Sequence, residues 1–419
     1  DATRRFRSNH ALFFAGLADQ AHEARDGAEL GEWLNRLERE RDNLHVAFES
    51  AIEAVEDDVA LRIAIGATVL WKQRGEGLEG RRRLERALSA HRGRPDLRAR
   101  AHLACGDLAA DIGEIEAARN HLENAHRLAR ELGDTHTAAW SLARLASIPH
   151  KEGELGTALA LFEEALAEAR TAGDDLVLSH VLASLALVVA DTGSVERAIE
   201  LAAESVERSR GIGNTYAMAD ALLAVGEIGL NHGDTAQARE RIEEALEIGT
   251  REGLGAVIAW SLAYLGRANL MDGELQAARV ILEKAMEEFE RVDSPMGRPW
   301  VMRHLALVDW WTGDASAAEA RLRTALADAV LYVVPEAPLI LEFHGWIRAA
   351  VAPREGAVLL GCARAHLERM GLVLPRFEAT HAAAARQQLG EHLSDSEISR
   401  LSKQGAGLGL TEAARLAMG

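Results

Sequence analysis

The chain has 419 residues, 48% hydrophobic and 27% charged, with 8 prolines, two cysteines and a formal net charge of -18. This is the composition of a folded, water-soluble chain, and such acidity disfavours non-specific contact with nucleic acid or anionic membrane. Two cysteines inside apolar patterns exclude a disulfide framework and point to a reducing, cytoplasmic setting; no run of 18 apolar residues is present to span a bilayer.

Residues 1-58 come first. They predict an initial helix around Asn9-His22 and a longer one from near Glu29, with Trp33, Leu34, Leu37, Leu44 and Phe48 on one apolar stripe. This region reads as a cap on the first repeat or as a linker arm. The opening DATRRFRSNHALFF lacks an initiator Met and a signal-peptide core, and reads as the middle of a longer polypeptide.

Residues 59-331 repeat. A glycine followed by an acidic or small polar residue recurs at Gly75, Gly113, Gly153, Gly193, Gly233, Gly273 and Gly313, spaced 38 and then five times 40 apart. Nine residues after each glycine comes an apolar-x-x-small-apolar landmark, as in Phe162-Glu-Glu-Ala-Leu166 and Ile242-Glu-Glu-Ala-Leu246, weaker at Leu122 and Ala202. Each unit therefore predicts a first helix, a left-handed turn at the glycine, and a second helix. Ala158, Ala198, Ala238, Ala278 and Ala318 allow the two helices to approach closely, and Gly133, Gly173, Gly213 and Gly253 release the chain into the next unit. Neither helix buries its stripe alone, so successive units must stack.

Residues 332-419 lose the period. Segments 337-349 and 354-370 read as a degenerate eighth pair bounded by Pro335, Pro338 and Pro353. Shorter helices at 376-393 and 394-403 and a last one capped by Thr411 complete a C-terminal cap.

This pattern resembles the tetratricopeptide repeat stretched to about 40 residues, with Leu145, Ala146, Gly153, Ala158, Phe162 and Ala165 at its signature positions. The fold class expected is all-α, a tetratricopeptide-like right-handed superhelix of seven to eight helix pairs. Pro149 departs from that family, where Tyr is common, and should distort the end of its helix. The stretch WLNRLERERDNLHVAFESAI (Trp33 to Ile52), the segment GRRRLERAL (Gly80 to Leu88) and the tail AVLLGCARAHLERMGLVLP (Ala357 to Pro375) are similar to the arrays of bacterial multidomain signal-transduction ATPases. Those regulators often carry a LuxR-type or other DNA-binding output domain. That resemblance implies a sensor arm, an ATPase domain upstream in the same polypeptide, and an inducer or partner protein that relieves inhibition.

In such a superhelix the first helices line the concave wall. One inward register holds Trp140, His180, Asp220, Trp260, Trp300 and Ile340; the next ones include Arg303, Glu227 and Arg267, with Trp310 and Trp311 near the end of the seventh first helix. Aromatic anchors mixed with Arg, Asp, Glu and His fit a groove for a protein segment, a peptide or a small-molecule inducer. The alternative is that these rings pack on the preceding unit.

No catalytic, cofactor or metal site is expected. The chain contains no GxxxxGK[ST], HExxH or CxxC; Gly405-Ala-Gly407-Leu-Gly409 lacks the lysine of a phosphate loop. His102 and Cys105 share a helical turn, but Cys105 occupies a core position. Basic clusters such as Arg4-Arg5 and Arg81-Arg82-Arg83 read as solvated helix faces, so no direct nucleic-acid contact is expected. The two functional readings are a sensor module of a regulatory ATPase and a free-standing adaptor that binds a peptide or partner protein.

Overall fold

A computed structural model describes residues 2-24, 30-90, 94-292, 294, 297-331 and 336-418, and among them finds 22 α-helices and no strand. The N-terminal region contributes α1 (Ala2–Ala24), α2 (Leu30–Arg39) and α3 (Arg41–Ala54). The helix expected from near Glu29 is thus two helices broken at Glu40, and Glu29 itself lies outside the described residues. Leu34, Leu37, Leu44 and Phe48 are buried as one stripe, and α1 and α3 pack on the first repeat.

The pairs come in order along the chain. They are α4 (Asp57–Gln73) with α5 (Gly77–Ala90), α6 (Pro95–Asp111) with α7 (Ile115–Leu132), and α8 (Thr135–Lys151) with α9 (Leu155–Ala172). Next come α10 (Asp175–Asp191) with α11 (Val195–Ile212), α12 (Thr215–His232) with α13 (Thr235–Glu252), and α14 (Gly255–Met271) with α15 (Leu275–Arg291). The series continues through α16 (Gly297–Trp311) with α17 (Ala315–Leu331) and α18 (Ala337–Val351) with α19 (Pro353–Met370), the degenerate eighth pair. Helices α20 (Arg376–His392), α21 (Asp395–Ala406) and α22 (Leu410–Met418) close the chain.

The turn glycines explain the regularity. All seven have φ between +71° and +93°, a region costly for residues with a Cβ, so each terminates its first helix at a fixed point. Behind each turn the small residues do as the pattern requires: Ala158, Ala198, Ala238, Ala278 and Ala318 are fully or almost fully buried, as are Phe162, Ile242, Leu282 and Leu322. Pro149 does not stop α8, which continues to Lys151; its missing N–H falls in the last turn, where Glu154 N–H bonds the Pro149 carbonyl at 2.7 Å and continues the chain into the turn. Thr411 is one residue inside α22 rather than its cap; the Glu412 carboxylate accepts from the Gly409 N–H at 3.1 Å instead.

Each first helix packs on its own partner and on the first helix of the next unit, whereas successive second helices make no comparable contact. First helices therefore form the inner wall of a curved array and second helices the outer one. The curvature is strong enough that α2 also meets α13, with Gly31 against Glu252.

Candidate functional site

The inner faces of α4, α6, α8, α10 and α12 surround a cavity of about 480 Å³. Trp140, His180 and Asp220, one register position in three successive units, all line it. The Trp140 indole stacks on the His180 imidazole with centroids 4.8 Å apart and planes at 28°, and lies parallel to His136 at 6.4 Å. His180 Nδ1 is 3.6 Å from an Asp220 carboxylate oxygen, while its Nε2 is buried without a hydrogen-bond partner among the described residues. Asp174 accepts from the backbone N–H groups of Leu176 and Val177 at the start of α10 and pairs with His136. Burial alone would raise the Asp174 carboxyl, but His136 and these donors hold it below the ordinary range.

A charged cluster continues from this cavity. Lys72 Nζ lies 3.0 Å from Asp111, and Arg144 reaches Asp107 at 2.6 Å and Asp111 at 3.3 Å. Burial opposes charge on Lys72, Asp111 and Arg144, yet the opposite charges win: Asp111 falls to about 2, and Lys72 and Arg144 stay protonated. Lys151 is different. Burial and the neighbouring Arg144 push its ammonium down to about 8, and it makes no ion pair among the described residues. Lys72, Arg144 and Lys151 thus gather around Asp107 and Asp111, while the cavity itself also carries the carboxylates of Glu23, Asp134 and Asp220.

The other expected groove residues meet a different environment. Arg267 and Arg303 are each 2% exposed, because Glu378 of α20 inserts between them. Arg267 Nη2 donates to its two oxygens at 3.1 and 3.2 Å, and Arg303 Nη1 donates at 3.3 Å. Arg267 also donates to Asn231 at 2.6 Å, and Arg303 lies 3.0 Å from Glu336. Burial raises the Glu378 carboxyl, but the two guanidiniums hold it below its ordinary value. Trp300 is buried against Trp260, Tyr264 and His304, with Trp260 half-buried at its edge. Glu227 accepts from the Tyr264 hydroxyl at 2.5 Å, and burial raises its carboxyl. Trp310 and Trp311 both contact Trp346 edge to face, and Trp311 meets Phe377 and His381 of α20. The single groove read from the sequence is therefore two regions: an open N-terminal cavity with Trp140, His180 and Asp220, and a C-terminal half covered by the chain itself.

Sequence reasoning missed several of these residues. Asp107 stands one unit before Ser147 in the register that holds Glu227 and Arg267. Asp111, Lys151, Asp191, Asn231 and Trp311 form a further inward register, two residues before each turn glycine. Extending the registers by one unit and one turn finds most of the charged cluster. Nothing local marks Glu378.

Among the described residues no group of three or more His, Cys, Asp and Glu side chains is placed to hold a metal ion, and no helix is long and apolar enough to cross a membrane. Cys105 is fully buried, and burial raises its thiol. His102 Nδ1 and His121 Nδ1 lie 3.0 Å apart, and burial with the second imidazole lowers His102 to about 4. Arg81 and Arg83 are held by Glu85, Glu114 and Glu79 on helix surfaces.

Paired helices, turn glycines at a 40-residue period and an inner wall of first helices define a tetratricopeptide-like α-solenoid. The family described as anaphase-promoting complex subunit 5 matches residues 90-152 and 138-192, less than half of the chain. No curated protein matches. Among solved structures, the Rap conjugation gene regulator of the plasmid pLS20 in complex with the Phr* peptide is 13% identical, with a TM-score of 0.58, covering 76% of this chain and 96% of that one. A Rap protein complexed with competence and sporulation factor is 14% identical, with a TM-score of 0.57 and coverage of 93% and 99%. A signal transduction ATPase with a tetratricopeptide repeat sensor from Pyrococcus horikoshii is 17% identical, with a TM-score of 0.49 and coverage of 90% and 55%. At these identities the likeness is one of fold.

Proposed function

We propose that this chain is a regulatory binding module whose concave groove receives a peptide, a protein segment or a small-molecule inducer. The observation that carries this reading is the open cavity at Trp140, His180 and Asp220, walled by the first helices of five successive units. A stacked indole supplies apolar contact area, and side chains of both signs around it, among them Lys72, Arg100, Asp107 and Asp220, supply polar partners for a ligand. Two solenoids of similar fold were solved in complex with the Phr* peptide and with competence and sporulation factor, which supports ligand capture by an array of this kind.

Within this reading, the Trp33–Ile52 segment favours a sensor arm of a signal-transduction ATPase; the solenoid alone fits a free-standing adaptor equally well. A GxxxxGK[ST] segment in the same polypeptide, with ATP hydrolysis that changes when the groove is filled, distinguishes the first from the second. The site is tested with ligands found by thermal-shift screening of peptides and metabolites. Trp140→Ala and His180→Ala should each weaken a hit about tenfold, or ~1.4 kcal/mol, with unchanged helicity by circular dichroism. Full affinity in both variants would place the ligand elsewhere.

A further inference from the structure

The C-terminal half of the groove already has an occupant. After α19 the backbone turns at Gly371, with φ of +70°, and residues 371-375 run non-helically across the edge of the array. Met370, Val373 and Arg376 lie over the turn glycines Gly153, Gly193 and Gly233 in succession, and Val373 N–H donates to the Asp191 carbonyl at 2.9 Å. Helix α20 then enters with two anchors one turn apart. The Glu378 carboxylate sits between Arg267 and Arg303. The His381 ring sits in a box of Phe377, Trp346, Trp311 and Phe343, with centroids at 4.6, 4.9, 5.2 and 6.0 Å.

Beyond these anchors its buried residues are Ala382, Ala385 and Leu389, with Phe377 at its start packed on Trp311. A buried carboxylate between arginines adds little net stability, since desolvation offsets the Coulomb gain, yet it selects its partner sharply. The seat is also incompletely satisfied. Nε of Arg267, Nε2 of His304 and of His381, both carboxylate oxygens of Glu342 and Nε1 of Trp346 are buried without hydrogen-bond partners among the described residues. Permanent interiors pair nearly all such groups. This concentration marks a surface suited to being wetted and re-covered.

We propose that residues 371-392 form an intramolecular plug that opens, and that the seat beneath then binds a helical segment of a partner protein bearing a carboxylate and, one turn later, an aromatic or imidazole ring. The paired guanidiniums of Arg267 and Arg303 take the carboxylate, and Trp311, Phe343 and Trp346, which stay with the array, take the ring, as they do for Glu378 and His381. The site lies apart from the Trp140 cavity, so the two fail independently.

Hydrogen exchange on the full chain tests the plug. Amides of α20 and of 371-375 should exchange at least about tenfold faster than those of α18 and α14, through a sub-global opening. Equal protection of all three helices overturns it. A labelled peptide of residues 374-392 tests the seat. It should bind the Glu378→Gln chain about tenfold more tightly than the unaltered one, where the plug competes. The same peptide carrying Glu378→Gln should bind at least tenfold more weakly than its parent. No binding of the parent peptide to the opened chain, or equal binding of both peptides, overturns the docking site.

Discussion

Trp140, Trp260 and Trp300 share one register position, yet their surroundings diverge along the array. Trp140 keeps a face toward an open cavity and stacks on His180; Trp300 is 6% exposed and wedged between the rings of Trp260, Tyr264 and His304. Trp300 therefore contributes to stability where Trp140 is free to contribute to recognition. Trp300→Ala should cost about 3–5 kcal/mol of unfolding free energy, read by urea denaturation, from lost contacts and the cavity left behind. A loss under ~1 kcal/mol would show that this ring is not a core residue. The registers were legible because side chains on successive first helices repeat with the glycines. Which tryptophan remained open was not, because the rings that close on Trp300 meet it only where α14 packs on α16.

The contact between helices α18 and α20 depends on protonation. Glu342 of α18 faces α20; burial raises its carboxyl to about 7, against the opposing pull of Arg364 at 3.8 Å and of Arg386 on α20. Glu378 and His381 of α20 line the same small cavity. With α20 closed, Glu342 holds its proton to higher pH than when exposed to water, so opening becomes easier as pH rises from its ordinary carboxyl range through about 7. Glu336, raised by burial and lying beside Arg303 under the same seat, acts in the same direction. His381 acts oppositely. Burial lowers its imidazole, so opening also becomes easier as pH falls below the ordinary histidine value, and protonation of Glu378 adds to this at lower pH. Protection factors of α20, corrected for intrinsic exchange, should thus peak at mildly acidic pH. Glu342→Gln should flatten much of the alkaline limb and leave the acid limb. An unchanged alkaline limb would remove Glu342 from this role. At this scale the turn glycines, the eighth pair and the buried stripe of the N-terminal region were all readable as patterns. The break at Glu40 and the continuation of α8 past Pro149 were not, since both depend on how helix ends are packed and hydrogen-bonded.

The whole molecule is a chain of neighbours closed by a contact between distant parts. Units α4–α5 to α18–α19 pack chiefly on their neighbours through first-helix and partner packing, so local damage should propagate weakly. Phe162 is fully buried at the centre of the third unit; Phe162→Ala should cost about 3–5 kcal/mol and resolve urea unfolding into more than one step, followed by fluorescence and circular dichroism. One sharp transition at lower urea would mean that residues 371-375 and α20 couple the array end to end. The sequence by itself determined the helix pairs, their period, the identity of the inner wall and the small residues at each crossing, because these arise from interactions within about 40 residues that repeat. The tertiary structure alone decided that the wall is split. The registers reach Asp107 and Asp111, but Glu378 and His381 meet their partners only after the superhelix has curved, so no local period records that contact.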